Sequence, residues 1–105
     1  MNGNDIVNTL GMHINARELK FAKFKLLADF DKGVVTVMKG KKFVEIKYNA
    51  GSDLYDVVTG KIKGYDVVKD DVKSGYYADM LKPLISDYFN FEYVMDGLKI
   101  VGFNC

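Results

Sequence analysis

Hydrophobic and polar residues alternate with a period of two through the middle of the chain. The alternation is clearest at 24–30 and 43–48, where apolar side chains occupy every second position. Between them, 34–38 is rich in β-branched residues, which favour strands. Two further segments, 54–62 and 65–69, have the same character, and short polar or Gly-containing turns separate all of these runs. Strands joined by short turns pair with their chain neighbours, so we predict one antiparallel sheet.

Helical periodicity flanks this region on both sides. Near the N-terminus, Asn4 or Asp5 can cap a short helix that is predicted to stop at Gly11. The polar stretch 70–75 is predicted to end the sheet. After it, apolar residues recur at every third or fourth position, which predicts an amphipathic helix over about 77–89 packed on the sheet. Its apolar stripe consists of Tyr77, Met80, Leu81, Leu84, Ile85 and Tyr88.

Two strand-like apolar runs near the C-terminus flank Asp96-Gly97, a dipeptide typical of tight hairpin turns. They predict a C-terminal hairpin over 91–103. Both of its faces carry apolar residues, so we expect it to form either the last strands of the sheet or the surface of a homodimer. Tyr76 joins the hairpin residues in the candidate protein interface, because adjacent Tyr76 and Tyr77 cannot both face the core. The members of this interface are Tyr76, Phe91, Tyr93, Met95, Leu98, Ile100 and Phe103.

The size and composition of the chain fit one globular unit. The 105 residues are 49% hydrophobic and 28% charged, which argues against disorder. We predict a single domain over 1–105 of the α+β class. It comprises an antiparallel sheet of four to six strands, a short N-terminal helix, one amphipathic helix (about 77–89) packed on the sheet, and a C-terminal hairpin.

Few residues are able to carry catalysis or hold a metal ion. His13 is the only histidine and Cys105 the only cysteine, which excludes two-histidine and cysteine-based metal sites. The sequence has no Gly-rich phosphate loop and no nucleophile elbow. Asp53 and Asp56 form a carboxylate pair, but aspartates at strand ends more often form turns. We therefore expect a non-enzymatic protein with no metal site and no cofactor.

Lysines are concentrated in the first three predicted strands and around Ile62. The whole chain has a net charge of only +1, so it lacks the strong basic balance of a dedicated nucleic-acid module. The lysines are either the solvated face of a half-buried sheet or a surface for single-stranded nucleic acid. The candidate nucleic-acid contacts are Lys20, Lys23, Lys25, Lys39, Lys41, Lys42, Lys47, Lys61 and Lys63.

The chain start is polar and acidic, without the basic and apolar regions of a signal peptide. No apolar run approaches the ~20 residues that span a bilayer. A lone cysteine also cannot form an internal disulfide. These features favour the reducing cytoplasm and no membrane partner.

Several short motifs between 53 and 89 resemble a known family. They are Asp53-Leu54-Tyr55-Asp56-Val57, Gly60-Lys61-Ile62, Tyr65, Val67-Val68 and Tyr77-Ala78-Asp79-Met80-Leu81, followed by an amphipathic helix. Together they are similar to a family of short phage and prophage proteins without an assigned function. The family has Gln in place of Met80 and ends soon after the helix, so the hairpin at 91–103 is an addition in this chain.

The resemblance implies a setting and a mode of action. The setting is the cytoplasm of a bacterial host. A small phage-encoded protein without catalytic motifs is expected to bind another macromolecule, foremost a host or phage protein, and so to inhibit a host factor or a defence system. Nucleic-acid binding by the lysine-rich face of the sheet is the alternative. A protein partner is thus expected, a homodimer is possible, and nucleic acid comes second.

Overall fold

The computed structural model describes the backbone of residues 3–93 and the side chains of residues 5–93. Two helices, five strands and a final helix follow one another along the chain. The elements are α1 (Gly3–His13), α2 (Ala16–Phe21), β1 (Lys25–Asp29), β2 (Val34–Lys39), β3 (Lys42–Asn49), β4 (Leu54–Lys63), β5 (Asp66–Tyr76), a 3₁₀ turn (Ala78–Met80) and α3 (Leu81–Phe89).

The strands form one open antiparallel sheet in the order β1-β2-β3-β4-β5. Every strand therefore pairs with its chain neighbour, as short turns require. The α+β class, the antiparallel sheet of four to six strands, the N-terminal helix and the C-terminal amphipathic helix are confirmed.

The register of the strands sorts their side chains onto two faces. Val37 lies opposite Val44, and Ile46 opposite Val57, so these four residues share one face of the sheet. All four are buried together with residues of the helices. The helical contribution to this core comes from Val7, Leu10 and Ile14 in and just after α1, Leu19 in α2, and Leu81 and Ile85 in α3. The domain is thus a two-layer structure with helices on one side of the sheet.

The first two helices differ from the sequence prediction. The first continues through Gly11 to His13, and α2 was not predicted. A glycine inside a helix costs about 1 kcal/mol, but full burial of Leu10 and Ile14 outweighs that cost. The second helix has only six residues and begins at Asn15, whose side chain accepts a hydrogen bond from the Glu18 N–H. It is too short to show a helical period.

The prediction that 70–75 ends the sheet was wrong, because β5 continues to Tyr76. The strand lies at the edge of the sheet and is exposed over 66–75, so its backbone pairing with β4 does not require apolar side chains. A bulge between Thr59 and Gly60 further disguises its periodicity.

The last helix begins later than predicted. A 3₁₀ turn precedes it, and Pro83 is its third residue, where the missing N–H has no helical partner to lose. Beyond it, 91–93 have no regular secondary structure. The rest of the predicted hairpin, 94–103, lies outside the described residues. Among the described residues, no helix is both long and apolar enough to cross a membrane.

Candidate functional site

No helix of the described part of the chain covers the sheet face opposite the helical layer. We call it the uncovered face. Paired residues on neighbouring strands place on it Leu27, Val34, Met38, Phe43, Val58, Ile62, Val67 and Val72. Phe43 is buried and four others are half-buried, whereas Leu27, Val67 and Val72 near the two edges are 48%, 62% and 64% exposed. This face is therefore unusually apolar for a surface in contact with water.

Charged residues of both signs border these apolar side chains. Lys47 and Asp56 lie opposite each other on β3 and β4, and Glu45 lies between Thr36 and Val58 in the middle of the sheet. A surface of apolar residues with interspersed charges of both signs has the composition of a protein–protein interface. It lacks the single-sign field that a polyanion requires.

Eight of the nine candidate lysines gather at one end of the sheet, which we call the basic end. It comprises the C-terminus of α2, the start of β1, the β2–β3 turn and the end of β4. Lys20, Lys23, Lys25, Lys39, Lys41, Lys42, Lys61 and Lys63 belong to it. Lys47 does not, because it pairs with Val34 and Asp56 toward the other end. The sequence pattern placed the lysines on one face, but topology gathers them at one end.

Two lysines of the basic end have structural partners. Lys39 Nζ lies 3.1 Å from the Ala22 carbonyl oxygen at the C-terminus of α2, and 4.7 Å from the centre of the Phe24 ring. Lys42 Nζ lies 3.2 Å from the Tyr88 carbonyl oxygen in the last turn of α3. These lysines lie opposite each other on β2 and β3, where like charges repel. The partly negative helix C-termini offset that repulsion.

Two exposed aromatic residues accompany the basic end. Phe21 is the last residue of α2 and is 80% exposed. Tyr65 lies in the turn between β4 and β5 and is fully exposed. Exposed rings beside lysines are one of the two features that single-stranded nucleic acid requires, since bases stack on aromatic side chains.

The candidate aromatic interface is only partly described. Tyr76 is half-buried at the end of β5. Phe91 and Tyr93 pack on the helical layer: the Phe24 and Phe91 ring centres are 5.0 Å apart, and the Tyr93 hydroxyl donates to the Ile14 carbonyl at 2.8 Å. These two rings therefore help to close the core. Met95, Leu98, Ile100 and Phe103 lie outside the described residues.

A groove of about 600 Å³ separates β5 from α3 on the helical side. Tyr88 is its main polar group, and its hydroxyl oxygen lies 2.8 Å from both the Gly60 carbonyl and the Asp70 carboxylate. Burial, followed by the bond to Asp70, raises the pKa of Tyr88 to about 12. On the β5 side, Lys73 forms a 3.4 Å ion pair with Asp71, and that contact raises the pKa of Lys73.

A second cavity, of about 320 Å³, contains His13. The His13 ring meets Tyr55 edge-on with 6.4 Å between ring centres. Beside them the Tyr48 hydroxyl donates to the Asp53 carboxylate, and this bond raises the pKa of Tyr48. Across residues 5–93, no three His, Cys, Asp or Glu side chains are grouped so that they could hold a metal ion.

The carboxylate pair weighed in the sequence also has structural partners. Asp53 follows the β3–β4 turn in a left-handed conformation with φ 57°, which aspartate tolerates. Asp56 accepts a hydrogen bond from the Asn49 side chain at 3.3 Å. Both acids therefore shape the turn, as strand-end aspartates commonly do.

No family model matches this chain, and no curated protein or solved structure is detectably similar to it. Functional reasoning therefore depends on the surfaces just described. The sequence had not identified the uncovered face as a site, because its residues are scattered over five strands. The sequence signal for this face lies in the strand periodicity. Positions that face away from the core carry apolar as well as polar residues, whereas a fully solvated face would be polar.

Proposed function

We propose that the protein is a non-enzymatic accessory protein, of the kind that phages and mobile elements encode, and that it acts by binding another protein through its uncovered face. One observation carries this proposal. Helices cover a single side of the sheet, while apolar side chains continue across the other side from Leu27 on β1 to Val72 on β5.

Contact with a protein would remove this apolar surface from water. Full burial of a leucine or valine side chain stabilises a complex by roughly 1.5–3 kcal/mol, before the costs of association. A few such residues are sufficient for hot spots, and the surrounding charges can set the orientation of the partner. Occlusion of a host factor or of a defence component is the action that this mode of binding supports, and the phage-like motifs within 53–89 favour a host protein as the partner.

Substitution of the uncovered face tests the proposal. Leu27→Lys places a charge near one edge of the face without filling a buried space, because Leu27 is already half exposed. Phe21→Lys is the matched control, since it removes a larger exposed apolar residue outside this face. Wild-type protein and Phe21→Lys should capture the same protein from a bacterial lysate, and Leu27→Lys should lose it. Equal capture by Leu27→Lys, or capture of no protein by the wild type, would contradict the proposal.

A second candidate function, binding of single-stranded nucleic acid, is favoured by the basic end. Lys41 lies in the β2–β3 turn and Lys61 near the end of β4, and neither contacts a helix carbonyl within the described residues. If they contact phosphates, Lys41→Glu and Lys61→Glu should weaken binding of a labelled oligonucleotide and reduce its salt dependence. Lys47→Glu is the control, because Lys47 lies outside the basic end. Fluorescence anisotropy with no salt-dependent binding, or equal loss in all three variants, would exclude this function.

A further inference from the structure

The edge strand β5 is exposed along almost its whole length. It spans eleven residues, whereas β1 at the opposite edge spans five. Positions 66–75 are all exposed, and within residues 3–93 β5 pairs only with β4. A long exposed edge presents unpaired backbone N–H and C=O groups, and proteins usually protect such edges with charges or bulges. The charges of β5 oppose pairing with other strands, but their order allows β5 to pair with a second copy of itself.

The bulge in β5 determines which side chains share a face. Thr59 lies opposite Asp71 and Gly60 opposite Lys69, so Asp70 is the extra residue. As a result, Val67 and Val72 both lie on the uncovered face, since their partners Ile62 and Val58 do. Lys73 lies on the helical side, since it is opposite the core residue Val57. Asp66 lies on the same side, because it is opposite Lys63, and every second residue of β4 from Val57 to Lys63 faces the helices.

We propose that a second copy of this chain pairs antiparallel with β5, with the two-fold axis between Lys69 and Asp70. In this register Asp66 lies opposite Lys73, Val67 opposite Val72, and Val68 opposite Asp71. Lys69 and Asp70 flank the axis on different faces, since Lys69 lies opposite Gly60 on the uncovered face and Asp70 accepts a hydrogen bond from Tyr88 on the helical side. The two-fold axis repeats each pair, and each apolar or charged pair on the flanks joins residues of the same face. The occupant of the edge is therefore a copy of the same strand.

Charge complementarity selects this register over its neighbours. A slip by one residue places Val67 opposite Lys73 in one direction and opposite Asp71 in the other, although Val67 lies on the uncovered face and the two charged residues lie on the helical side. A slip by two residues places Asp70 opposite Asp71, or Asp66 opposite Asp71. Residues opposite each other in an antiparallel pair share a face, and like charges directly opposite destabilise the pair. The proposed register is the only one within two residues that meets both conditions on the flanks of the axis. Asp71 and Asp70 already contact Lys73 and Tyr88, but both acids are exposed and remain accessible.

The pairing has a functional consequence that goes beyond the proposed partner binding. It joins the two sheets edge to edge, which places Val67 and Val72 of both copies at the centre of one continuous uncovered face. A dimer would then present this face twice to a symmetric partner. The pairing itself does not depend on whether such a partner exists.

Charge exchange at one pair tests the pairing. Sedimentation equilibrium of the full chain at micromolar concentration should show a dimer. Lys73→Asp and Asp66→Lys each create like-charge pairs at both ends of the interface, and each should raise the dimer dissociation constant at least tenfold. The double variant Asp66→Lys/Lys73→Asp restores opposite charges and should restore the dimer. Lys25→Asp, on the β1 edge, is the control and should leave the dimer unchanged.

A monomeric wild type, a single variant that remains dimeric, or a folded double variant that stays monomeric would each overturn the proposal. Circular dichroism identifies variants that fail to fold. A second measurement does not depend on charge: in a Cys105→Ser background, Val67→Cys/Val72→Cys should form an intermolecular disulfide on oxidation. Val67→Cys alone should not, because position 67 faces position 72 of the other copy. Absence of cross-linking in the double variant would also count against the register. Asp66 and Lys73 lie off the uncovered face, so loss of the dimer and loss of partner capture are separable.

Discussion

Substitution of Gly60 by alanine probes the most closely packed point of the sheet. A Cβ at position 60 would lie 2.5 Å from the Val68 carbonyl oxygen and 2.6 Å from two atoms of the Phe43 ring. The first distance is about 0.9 Å inside the 3.4 Å at which ordinary contact begins. Because Val68 O belongs to the backbone of β5, relief requires a shift of the edge strand rather than a rotation of a side chain.

Overpacking of this kind costs about 1–3 kcal/mol, and a backbone neighbour places Gly60→Ala in the upper half of that range. In a domain of this size each 1 kcal/mol shifts the melting temperature by roughly 4–8 °C. We therefore expect Gly60→Ala to lower the denaturant midpoint clearly and to weaken protection of β5 amides against hydrogen exchange, while β1 to β3 are less affected.

Gly11→Ala provides the matched control. Position 11 lies within α1, and the nearest atom to an added Cβ is the Ala16 Cβ at an ordinary 3.8 Å. Alanine is the better helix former, so this variant should gain up to about 1 kcal/mol. If Gly60→Ala were as stable as the wild type, with unchanged exchange in β5, the close approach of β5 to Gly60 would be wrong.

Three further predictions concern the core, a half-buried phenol and metal dependence. Leu81→Ala and Ile85→Ala, which truncate fully buried residues, should each cost about 2–5 kcal/mol in denaturant unfolding, and midpoints equal to that of the wild type would show that α3 does not dock. The raised pKa of Tyr88, about 12 against the ordinary 10.0, means that this residue stabilises the fold below pH 10 and loses that contribution as the pH rises toward 12. Ultraviolet titration should show late-ionising tyrosine absorbance, and Tyr88→Phe should remove the part that ionises last; ionisation of all tyrosines near pH 10 would contradict this. A chelator should not change the melting temperature, and a drop of several degrees would indicate a cation site near Asp53 and Asp56.

The sequence predicted those helices and strands in which the spacing of apolar residues matches the spacing of buried positions. The strand at 43–48 alternates because Val44 and Ile46 face the helices, and the α3 stripe is visible because Leu81 and Ile85 do so. Position along the chain then sufficed for topology, since neighbouring strands with short turns pair antiparallel. The class, the strand order and the packing of α3 are consequences of these local patterns.

Elements held by tertiary contacts escaped prediction. The second half of β5 is stabilised by backbone pairing to β4, so its polar side chains resemble those of a loop. The helix α2 has six residues, of which Leu19 is fully buried, too few for a periodic signal. Tertiary context overrides propensity in both places.

The binding surfaces depend even more strongly on topology. Lysines that are far apart in sequence, such as Lys23 and Lys61, meet at the basic end only because the strands run in alternate directions. Likewise Leu27 and Val72, on the two edge strands, become parts of one surface only after five strands have paired in register. Alternation indicates that a strand has two faces, but it does not reveal which face the helices leave uncovered.

Site-specific photo-cross-linking gives the most direct test of partner binding by the uncovered face. A photoreactive phenylalanine analogue is placed at Leu27, on this face and remote from the β5 edge, and separately at Tyr65, fully exposed near the basic end. In bacterial cells, the expected result is a covalent adduct between position 27 and another protein, with none from position 65. Adducts from position 65 to nucleic acid, with none to protein from position 27, would contradict protein binding by the uncovered face and favour the basic end as the site.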